Sequence, residues 1–288
     1  MPELPEVQAL AAFLDEHLAG HAVAAATPVA IQALKTYDPP LSALEGQVVS
    51  SVGRHGKFID FSVGDLHLVL HLARAGWVRW QEELPTAPPR PGKGPLALRV
   101  RMAEPAGSGI DVTEYGTKKG LAVYVVRDPN DVPGIARLGI DPLSEEFTVE
   151  VLRGLLDGER RQIKGVLRDQ SVLAGIGNAY SDEILHAARM SPYKLAAKLT
   201  PEEVTNLYEV TLSTLTDAIE RSRGLPMKDL KAEKKSGLRV HGRTGEKCPV
   251  CGDTIREVSF SDSSLQYCPT CQTGGKPLAD RRMSRLLK

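Results

Sequence analysis

The first twenty residues carry apolar side chains at helical spacing. The positions that recur every three or four residues are Val7, Leu10, Ala11, Leu14 and Leu18. Pro5 and Glu6 stand before this pattern and Gly20 ends it. Proline and a carboxylate are both favoured in the first turn of a helix. The pattern therefore predicts a helix from about Pro5 to Gly20.

The next hundred residues, from about 21 to 126, change to strand-like patterns. Short runs that alternate or are rich in β-branched residues occur at 48–52, 58–63, 66–72 and 121–126. A proline- and glycine-rich stretch, 84–92, is predicted to be a loop. Several short strands without helices between them favour a β-sandwich or a barrel.

After Pro142 the pattern becomes helical, and helices are predicted at 149–156, 163–167, 182–188 and 201–222. The polar, basic and glycine-punctuated stretch 223–247 is expected to be a loop or linker. The fold class predicted is α+β. The expected domains are an N-terminal β-sandwich with a leading helix in 1–130, a helical domain in 140–222, a basic linker in 223–247, a finger in 248–272 and a basic tail in 273–288.

Composition and charge narrow the possible partners. The chain has 288 residues, of which 42% are hydrophobic, and no run of about 18 apolar residues that could cross a membrane. Because its acidic N-terminus is no signal peptide, a cytoplasmic location without a membrane partner is expected. The formal net charge of +0 argues weakly against nucleic acid, yet residues 221–247 hold nine basic and three acidic residues. Such a basic stripe suits phosphate binding, although a solvated linker can have the same composition.

Four cysteines lie in two close pairs near the C-terminus. Two residues separate Cys248 from Cys251 and Cys268 from Cys271, and sixteen residues lie between the pairs. Two such pairs can place four thiolates around one Zn²⁺, and with no open position the zinc would be structural. A redox role for the cysteines is the less favoured alternative. The segments 255–260 and 265–267 between the pairs predict a β-hairpin.

The N-terminus offers an unusual nucleophile. If Met1 is removed, Pro2 becomes a secondary amine, and an α-amine titrates near pH ~8, so that part of it is unprotonated at neutral pH. Such an amine can attack an aldehyde-level carbon and form an iminium. Glu3 stands beside it and Glu6 follows three residues later. Taken alone, the same residues could simply be good first-turn residues of a helix.

Four segments occur in a specific order: PELPEV at the N-terminus, RHGKF around Lys57, the GIGN turn at 175–178 and the four-cysteine finger. From Pro2 to about residue 272 the chain resembles the formamidopyrimidine-DNA glycosylase and endonuclease VIII family of base-excision repair enzymes. The resemblance implies a DNA glycosylase and abasic-site lyase that acts on damaged double-stranded DNA. It implies Pro2 as the nucleophile, Glu3, Glu6 and Lys57 as further catalytic residues, and one structural zinc. A monomer is expected.

The resemblance also implies where the DNA backbone is bound. Lys164 and Asn178 fall in a helix–two-turn–helix element, and both are expected to contact phosphates that flank the lesion. Asn178 is further expected to cap the helix that follows the GIGN turn. Five residues before the third cysteine the family has a phosphate-binding arginine, whereas this chain has Ser263. Arg256 or the basic tail could substitute for it.

Two further departures concern the gap that an extruded base leaves in DNA. Arg74 stands where the family commonly has a methionine that fills this gap. The loop with Tyr115 and Lys118 stands in place of a DPRRFG-like loop. Gap filling by these residues is expected to favour oxidised pyrimidines and abasic sites over 8-oxoguanine.

Two other classes of function remain open from the sequence. One is a zinc-ribbon nucleic-acid-binding protein without enzymatic activity, which leaves Pro2 and Glu3 at the terminus unexplained. The other is a relative of the glycosylases that binds abasic or crosslinked DNA without turnover, which the changes at Arg74 and Ser263 would allow.

Overall fold

The structure, a computed structural model, describes residues 1–90, 92, 94–260 and 263–279. They divide into two compact units. One is formed by Met1–Arg137 with Ser222–Lys231, and the other by Leu138–Arg221 with the described part of Ala232–Lys288. No helix in these ranges is both long enough and apolar enough to cross a membrane.

The first unit begins with helix α1, Leu4–Leu18, where the apolar spacing predicted it. The apolar face that this helix buries includes Leu4, Val7, Leu10, Ala11, Leu14 and Leu18, each at most 2% exposed. Burying one leucine side chain stabilises a fold by roughly 1.5–3 kcal/mol. This face therefore anchors the N-terminus of the chain to the core of the unit.

Two four-stranded antiparallel sheets follow. Their strands are β1 (Val23–Pro28), β2 (Val49–His55), β3 (Phe58–Val63), β4 (Leu66–His71), β5 (Gly76–Gln81), β6 (Leu96–Met102), β7 (Gly109–Glu114) and β8 (Ala122–Val126). The strand order is β2-β3-β4-β8 in one sheet and β1-β6-β7-β5 in the other. Strands β2, β3, β4 and β8 lie close to their predicted positions, whereas β1, β5, β6 and β7 were not predicted from the sequence. The stretch 84–92 holds no helix or strand among its described residues.

One hydrophobic core is shared by α1 and both sheets. It includes Ile59 and Phe61 from one sheet and Val78 and Val112 from the other. Because the inner faces of both sheets fill a single core, the unit is a β-sandwich with a leading helix. The predicted architecture of the N-terminal part is thereby confirmed.

From residue 138 onward the chain is mainly helical. Its elements are α2 (Val149–Leu156), α3 (Ile163–Arg168), α4 (Asn178–Ala187), α5 (Pro201–Ser222), α6 (Leu230–Gly237), β9 (Arg256–Ser259), β10 (Ser264–Tyr267) and α7 (Pro269–Thr273). Helices α2, α3 and α5 lie where they were predicted, and α4 begins four residues earlier than expected. Strands β9 and β10 pair in the predicted antiparallel hairpin, with Ser264 opposite Ser259. The α+β class is thereby confirmed.

Two local expectations are wrong. The stretch 223–247 is not only a loop, because it contains α6, whose first residue, Leu230, is 1% exposed and so stabilises the helix by burial. Asn178 does not cap α4, since the residue at the cap position is Gly177. The Asn178 side chain instead donates from Nδ2 to the Ser264 carbonyl at 2.6 Å.

Candidate active site and nucleic-acid interface

The N-terminal residues are held at the start of α1. Pro2 is buried, and Glu3 and Glu6 are 3% and 2% exposed. Glu3 is the N-cap residue of the helix, and it forms a capping box with Glu6, in which each side chain faces the backbone N–H of the other. The Glu3 N–H donates to Glu6 Oε2 at 2.8 Å. The box therefore fixes the backbone that joins Pro2 to Glu3.

Lys57 lies in the turn between β2 and β3 and is buried, at 7% exposure, rather than on a solvated edge. Gly56 before it has a φ of +53°, a left-handed conformation that glycine adopts without strain. His71, the last residue of β4, packs against Phe58 with ring centroids 4.7 Å apart. Burial and the charge of Lys57 lower the pKa of His71. This histidine is therefore mainly neutral at neutral pH.

Two loops carry the residues expected to face the gap in DNA. Arg74 is exposed and follows Ala73, whose φ is +48°. Tyr115 is 47% exposed. Arg79 on β5 donates from Nη2 to the Tyr115 hydroxyl at 3.1 Å, and its guanidinium carbon lies 5.6 Å from the ring centroid. An arginine that the sequence analysis did not single out therefore contacts Tyr115.

The base of the Tyr115 loop is closed by Glu114, which is 5% exposed. The Glu114 carboxylate accepts hydrogen bonds from the backbone N–H groups of Gly120 at 2.7 Å and Leu121 at 3.0 Å. Lys118, within the loop, is exposed. The loop thus extends from a fixed base, and the buried carboxylate that fixes it was also missed in the sequence.

A cleft of about 740 Å³ lies within the first unit. Both tryptophans of the chain, Trp77 and Trp80, line it, together with the cations Arg79, Lys228 and Lys231. The Lys231 Nζ lies 4.4 Å from the ring centroid of Trp77, which is a cation–π contact. The cleft therefore combines aromatic faces with positive charge.

In the second unit, Lys164 on α3 is buried at 5% exposure. Its ammonium donates to the Asn178 carbonyl at 3.2 Å, to Ser181 Oγ at 2.8 Å and to Asp182 Oδ1 at 2.5 Å. An ammonium has three N–H donors, and these acceptors engage all three within the protein. In this conformation Lys164 stabilises the first turn of α4.

The turn that precedes α4 is held by Gln170. Its Nε2 donates to the carbonyls of Arg168 at 2.8 Å and Ile176 at 2.7 Å, and its Oε1 accepts from the Gly175 N–H at 3.0 Å. Gly175 has a φ of +92°, which a residue with a Cβ rarely adopts. Asn178 follows this turn, and its amide nitrogen carries a second hydrogen besides the one donated to Ser264.

Two adjacent carboxylates on α4 bind more distant parts of the second unit. Glu183 accepts hydrogen bonds from the three backbone N–H groups of 239–241 at 2.7 to 2.9 Å. Burial raises the pKa of Glu183, and these three hydrogen bonds oppose that shift. Asp182 Oδ2 accepts from the Gln266 N–H at 3.2 Å and lies 2.7 Å from His241 Nδ1. These residues were not singled out in the sequence.

The four predicted metal ligands come together. Cys248, Cys251, Cys268 and Cys271 each offer one sulfur, and the four atoms lie within 4.8 Å of one another. The Sγ atoms of Cys248 and Cys271 are 3.8 Å apart, and those of Cys251 and Cys268 are 3.3 Å apart. Four sulfurs at ~2.3 Å from a tetrahedral zinc would stand about 3.8 Å from one another. The cysteines fit a structural zinc ion, as predicted.

Three family models match the chain in sequence order. The N-terminal domain of formamidopyrimidine-DNA glycosylase matches residues 1–110, and the H2TH domain of that enzyme matches 138–228. The zinc finger found in FPG and IleRS matches 245–274. The first match covers α1 and β1 to β6 of the β-sandwich, the second covers helices α2 to α5, and the third covers the four-cysteine finger.

Individual proteins that resemble this chain are also formamidopyrimidine-DNA glycosylases or glycosylase-like proteins. The formamidopyrimidine-DNA glycosylase of Symbiobacterium thermophilum is 34% identical over 292 residues, which cover 98% of this chain and 93% of that protein. An uncharacterized formamidopyrimidine-DNA glycosylase-like protein of Mycobacterium tuberculosis is 62% identical over 151 residues, 52% of this chain and 94% of that protein. The crystal structure of the Lactococcus lactis enzyme bound to DNA with an AP site has a TM-score of 0.82 and 25% identity, and covers 94% of this chain and 99% of that one.

A β-sandwich, a helix–two-turn–helix and a four-cysteine finger, in this order, define a class of DNA repair glycosylases. The chain belongs to the formamidopyrimidine-DNA glycosylase family, as the order of its motifs implied. It is a DNA glycosylase with abasic-site lyase activity that binds DNA and carries a zinc finger.

Proposed function

We propose that this enzyme removes oxidised bases from double-stranded DNA and cleaves the strand through a covalent intermediate on Pro2. After loss of Met1, the secondary amine of Pro2 attacks C1′ of the damaged nucleotide, which must first leave the base stack. The capping box carries this proposal, because it orders Glu3 next to the nucleophile in a buried setting.

Glu3 is the proposed general acid. The Pro2 nitrogen displaces the base from C1′, and the base leaves with the proton that the amine gives up. Glu3 protonates the sugar ring oxygen, so that the bond between C1′ and this oxygen breaks and the oxygen leaves as a hydroxyl group. The product is an iminium between C1′ and the Pro2 nitrogen. Because Glu6 binds the Glu3 backbone rather than a reacting atom, its proposed role is to position Glu3.

Strand cleavage follows from the iminium, which makes the hydrogen on C2′ acidic. Loss of that proton forms a C2′–C3′ double bond and breaks the bond between C3′ and its phosphate oxygen. Lys57 is proposed to bind the phosphate beside the damaged nucleotide. Since Lys57 is only 7% exposed, a phosphate at this position is partly desolvated and attracted more strongly than in water.

The cleft lined by both tryptophans is proposed to form part of the DNA-binding surface. Aromatic faces stack on bases and cations bind phosphates, and this cleft offers both. Binding of a duplex with an abasic-site analogue should therefore change the intrinsic tryptophan fluorescence. Lys231→Ala should weaken this binding, and Lys35→Ala, at an exposed position of the same unit, should not. Unchanged fluorescence at saturation would argue against the cleft.

Phosphate contacts in the second unit are proposed to come from Asn178, through its second amide hydrogen. Lys164 is proposed to act there by holding the first turn of α4, because its three donors bind within the protein.

For the lesion, we propose that abasic sites and oxidised pyrimidines are preferred to 8-oxoguanine opposite cytosine. The arginine at position 74 supports this preference, since a guanidinium can stack on bases and can donate hydrogen bonds to a base that is left unpaired.

Borohydride trapping tests the covalent mechanism. Borohydride reduces an iminium to a stable amine, so it should crosslink the enzyme to a duplex that contains an abasic site. Pro2→Gly should strongly reduce the crosslink, and Pro88→Gly, at an exposed position, should leave it unchanged. Full trapping by protein that still carries Met1 would overturn the proposal, because the Pro2 nitrogen would then be an amide. DNA binding without trapping would indicate a protein that recognises damage without this chemistry.

A further inference from the structure

The last turn of α4 places a histidine against the zinc finger. His186 is 2% exposed, and its Nε2 lies 3.3 Å from the Sγ of Cys248. Its other ring nitrogen, Nδ1, is buried and has no hydrogen-bond partner among the described residues. His186 takes no part in the catalytic steps proposed above.

The geometry decides which ring nitrogen carries the proton. In a neutral imidazole one nitrogen donates and the other accepts. A proton on Nδ1 would be a buried donor with no described acceptor, which is costly. A proton on Nε2 points at the Cys248 sulfur, and a zinc-bound thiolate is a hydrogen-bond acceptor. The favoured arrangement is therefore Nε2–H donating to Cys248 Sγ.

His186 belongs to a row of polar residues on α4. Asn178, Asp182 and His186 are spaced by four residues, which places them on one face of a helix. Asn178 Nδ2 donates to the Ser264 carbonyl, and Asp182 Oδ2 accepts from the Gln266 N–H. These two residues hold the backbone of β10, whereas His186 reaches a metal ligand.

We propose that His186 is a positioning residue for the zinc site, where it donates a hydrogen bond to the Cys248 thiolate and slows the loss of zinc. A donor to a metal-bound thiolate takes up part of the sulfur's negative charge and fixes its orientation. Partners of this kind typically change metal affinity by about 10–100-fold. Since the thiolate is also the form that reacts with oxidants and alkylating agents, the same bond should protect the sulfur from them.

Zinc release from the full-length, zinc-loaded protein tests this proposal. His186→Phe removes the donor and keeps an aromatic ring, and it should release zinc to a chromophoric chelator about 10-fold faster. His186→Gln places an amide N–H near the former Nε2 and should restore most of the wild-type rate. Asn178→Ala is the matched control, because it removes a contact between α4 and the finger that does not involve sulfur. Equal release rates in wild type and His186→Phe, or equal acceleration by Asn178→Ala, would overturn the proposal.

Two spectroscopic measurements separate a bond to sulfur from a general effect on folding. In the Co²⁺-substituted protein, loss of the donor should shift the thiolate-to-metal charge-transfer band to lower energy, and this shift should be absent in Asn178→Ala. In the wild-type protein, the ¹⁵N chemical shifts of the His186 ring report which nitrogen is protonated. A proton on Nδ1 would overturn the proposal even if His186→Phe fails to fold.

Discussion

At the N-terminus a single carboxylate has two tasks. Glu3 caps α1 through the box with Glu6, and it is the proposed acid beside Pro2. A glutamine at position 3 keeps an oxygen that can accept the hydrogen bond of the cap, but it cannot supply a proton at neutral pH. The substitution therefore separates the structural task from the chemical one.

We expect Glu3→Gln to slow base excision by about 10²–10⁴-fold, the usual contribution of a general acid. Cleavage at a preformed abasic site should be largely retained, because that site already offers an aldehyde to Pro2. Single-turnover assays on a damaged duplex and on an abasic duplex measure the two steps, with Glu16→Gln on the exposed side of α1 as the control. Equal loss of both activities would mean that Glu3 acts only through the fold.

His71 predicts a pH dependence of stability. Burial and Lys57 lower its pKa in the folded protein, whereas a histidine in the unfolded chain titrates near ~6.5. The unfolded chain therefore binds more protons below this pH, and the free energy of unfolding falls as the pH drops through about 6.5. Urea unfolding at several pH values above and below this point should show a smaller fall in His71→Gln than in wild type. Identical profiles would contradict the assignment.

Residues with unusual chemistry could be predicted from the sequence, and their buried partners could not. The proline is recognisable from its position at the N-terminus, and the four cysteines are recognisable from their spacing along the chain. Glu183 gives no such signal, because its partners are the backbone N–H groups of 239–241, more than fifty residues away. Two adjacent acidic residues in a helix are usually exposed to solvent, and here Asp182 and Glu183 are buried.

At the level of secondary structure, two of the missed strands, β6 and β7, bury charged residues. Arg99 on β6 and Asp111 on β7 are each 6% exposed and are joined by two hydrogen bonds of 2.7 and 2.8 Å. Each of them stands in an alternating segment, 98–102 on β6 and 110–113 on β7, so these strands were missed although the pattern is present in the sequence. Across the sheet they satisfy each other, which only the register of the two strands reveals.

The hydrogen bond between Glu6 and the Glu3 backbone at the start of α1 predicts how substitutions of Glu6 change the stability of the protein. Glu6→Ala removes the acceptor of the buried Glu3 N–H, and leaving such a group unpaired costs about 1–3 kcal/mol. Urea unfolding should show a loss of this size, with Glu6→Gln less affected because its amide oxygen can still accept. Glu16→Ala in the same helix is the matched control. If Glu6→Ala were as stable as Glu16→Ala, the box would not stabilise the N-terminus.

Over the whole molecule, the proposed chemistry and the phosphate contacts proposed for Asn178 lie in separate units. Pro2, Glu3 and Lys57 belong to the first, and the helix–two-turn–helix and the finger belong to the second. The order of the motifs could be predicted because each motif is local in sequence. The return of Ser222–Lys231 to the first unit could not, since it depends on Met227 and Leu230 joining the core of the β-sandwich.

We propose that substrate choice depends on the two loops of the β-sandwich that carry Arg74 and Tyr115. Arg74 is exposed at the tip of one loop, and Tyr115 begins another whose base Glu114 closes. An arginine that stacks in the gap left by an extruded base can also donate hydrogen bonds to whichever base is left unpaired. Such a residue should discriminate less between opposite bases than an apolar side chain does.

We therefore expect cleavage of abasic sites, thymine glycol and 5-hydroxyuracil to be faster than cleavage of 8-oxoguanine opposite cytosine. Side-by-side single-turnover assays on duplexes that differ only in the lesion and the opposite base measure this preference. Arg74→Met should make activity depend more on the opposite base, and Arg90→Met, at an exposed position, should leave the profile unchanged. If 8-oxoguanine opposite cytosine is the base lesion cut fastest, the role assigned to Arg74 and the Tyr115 loop is wrong, whatever the outcome of borohydride trapping.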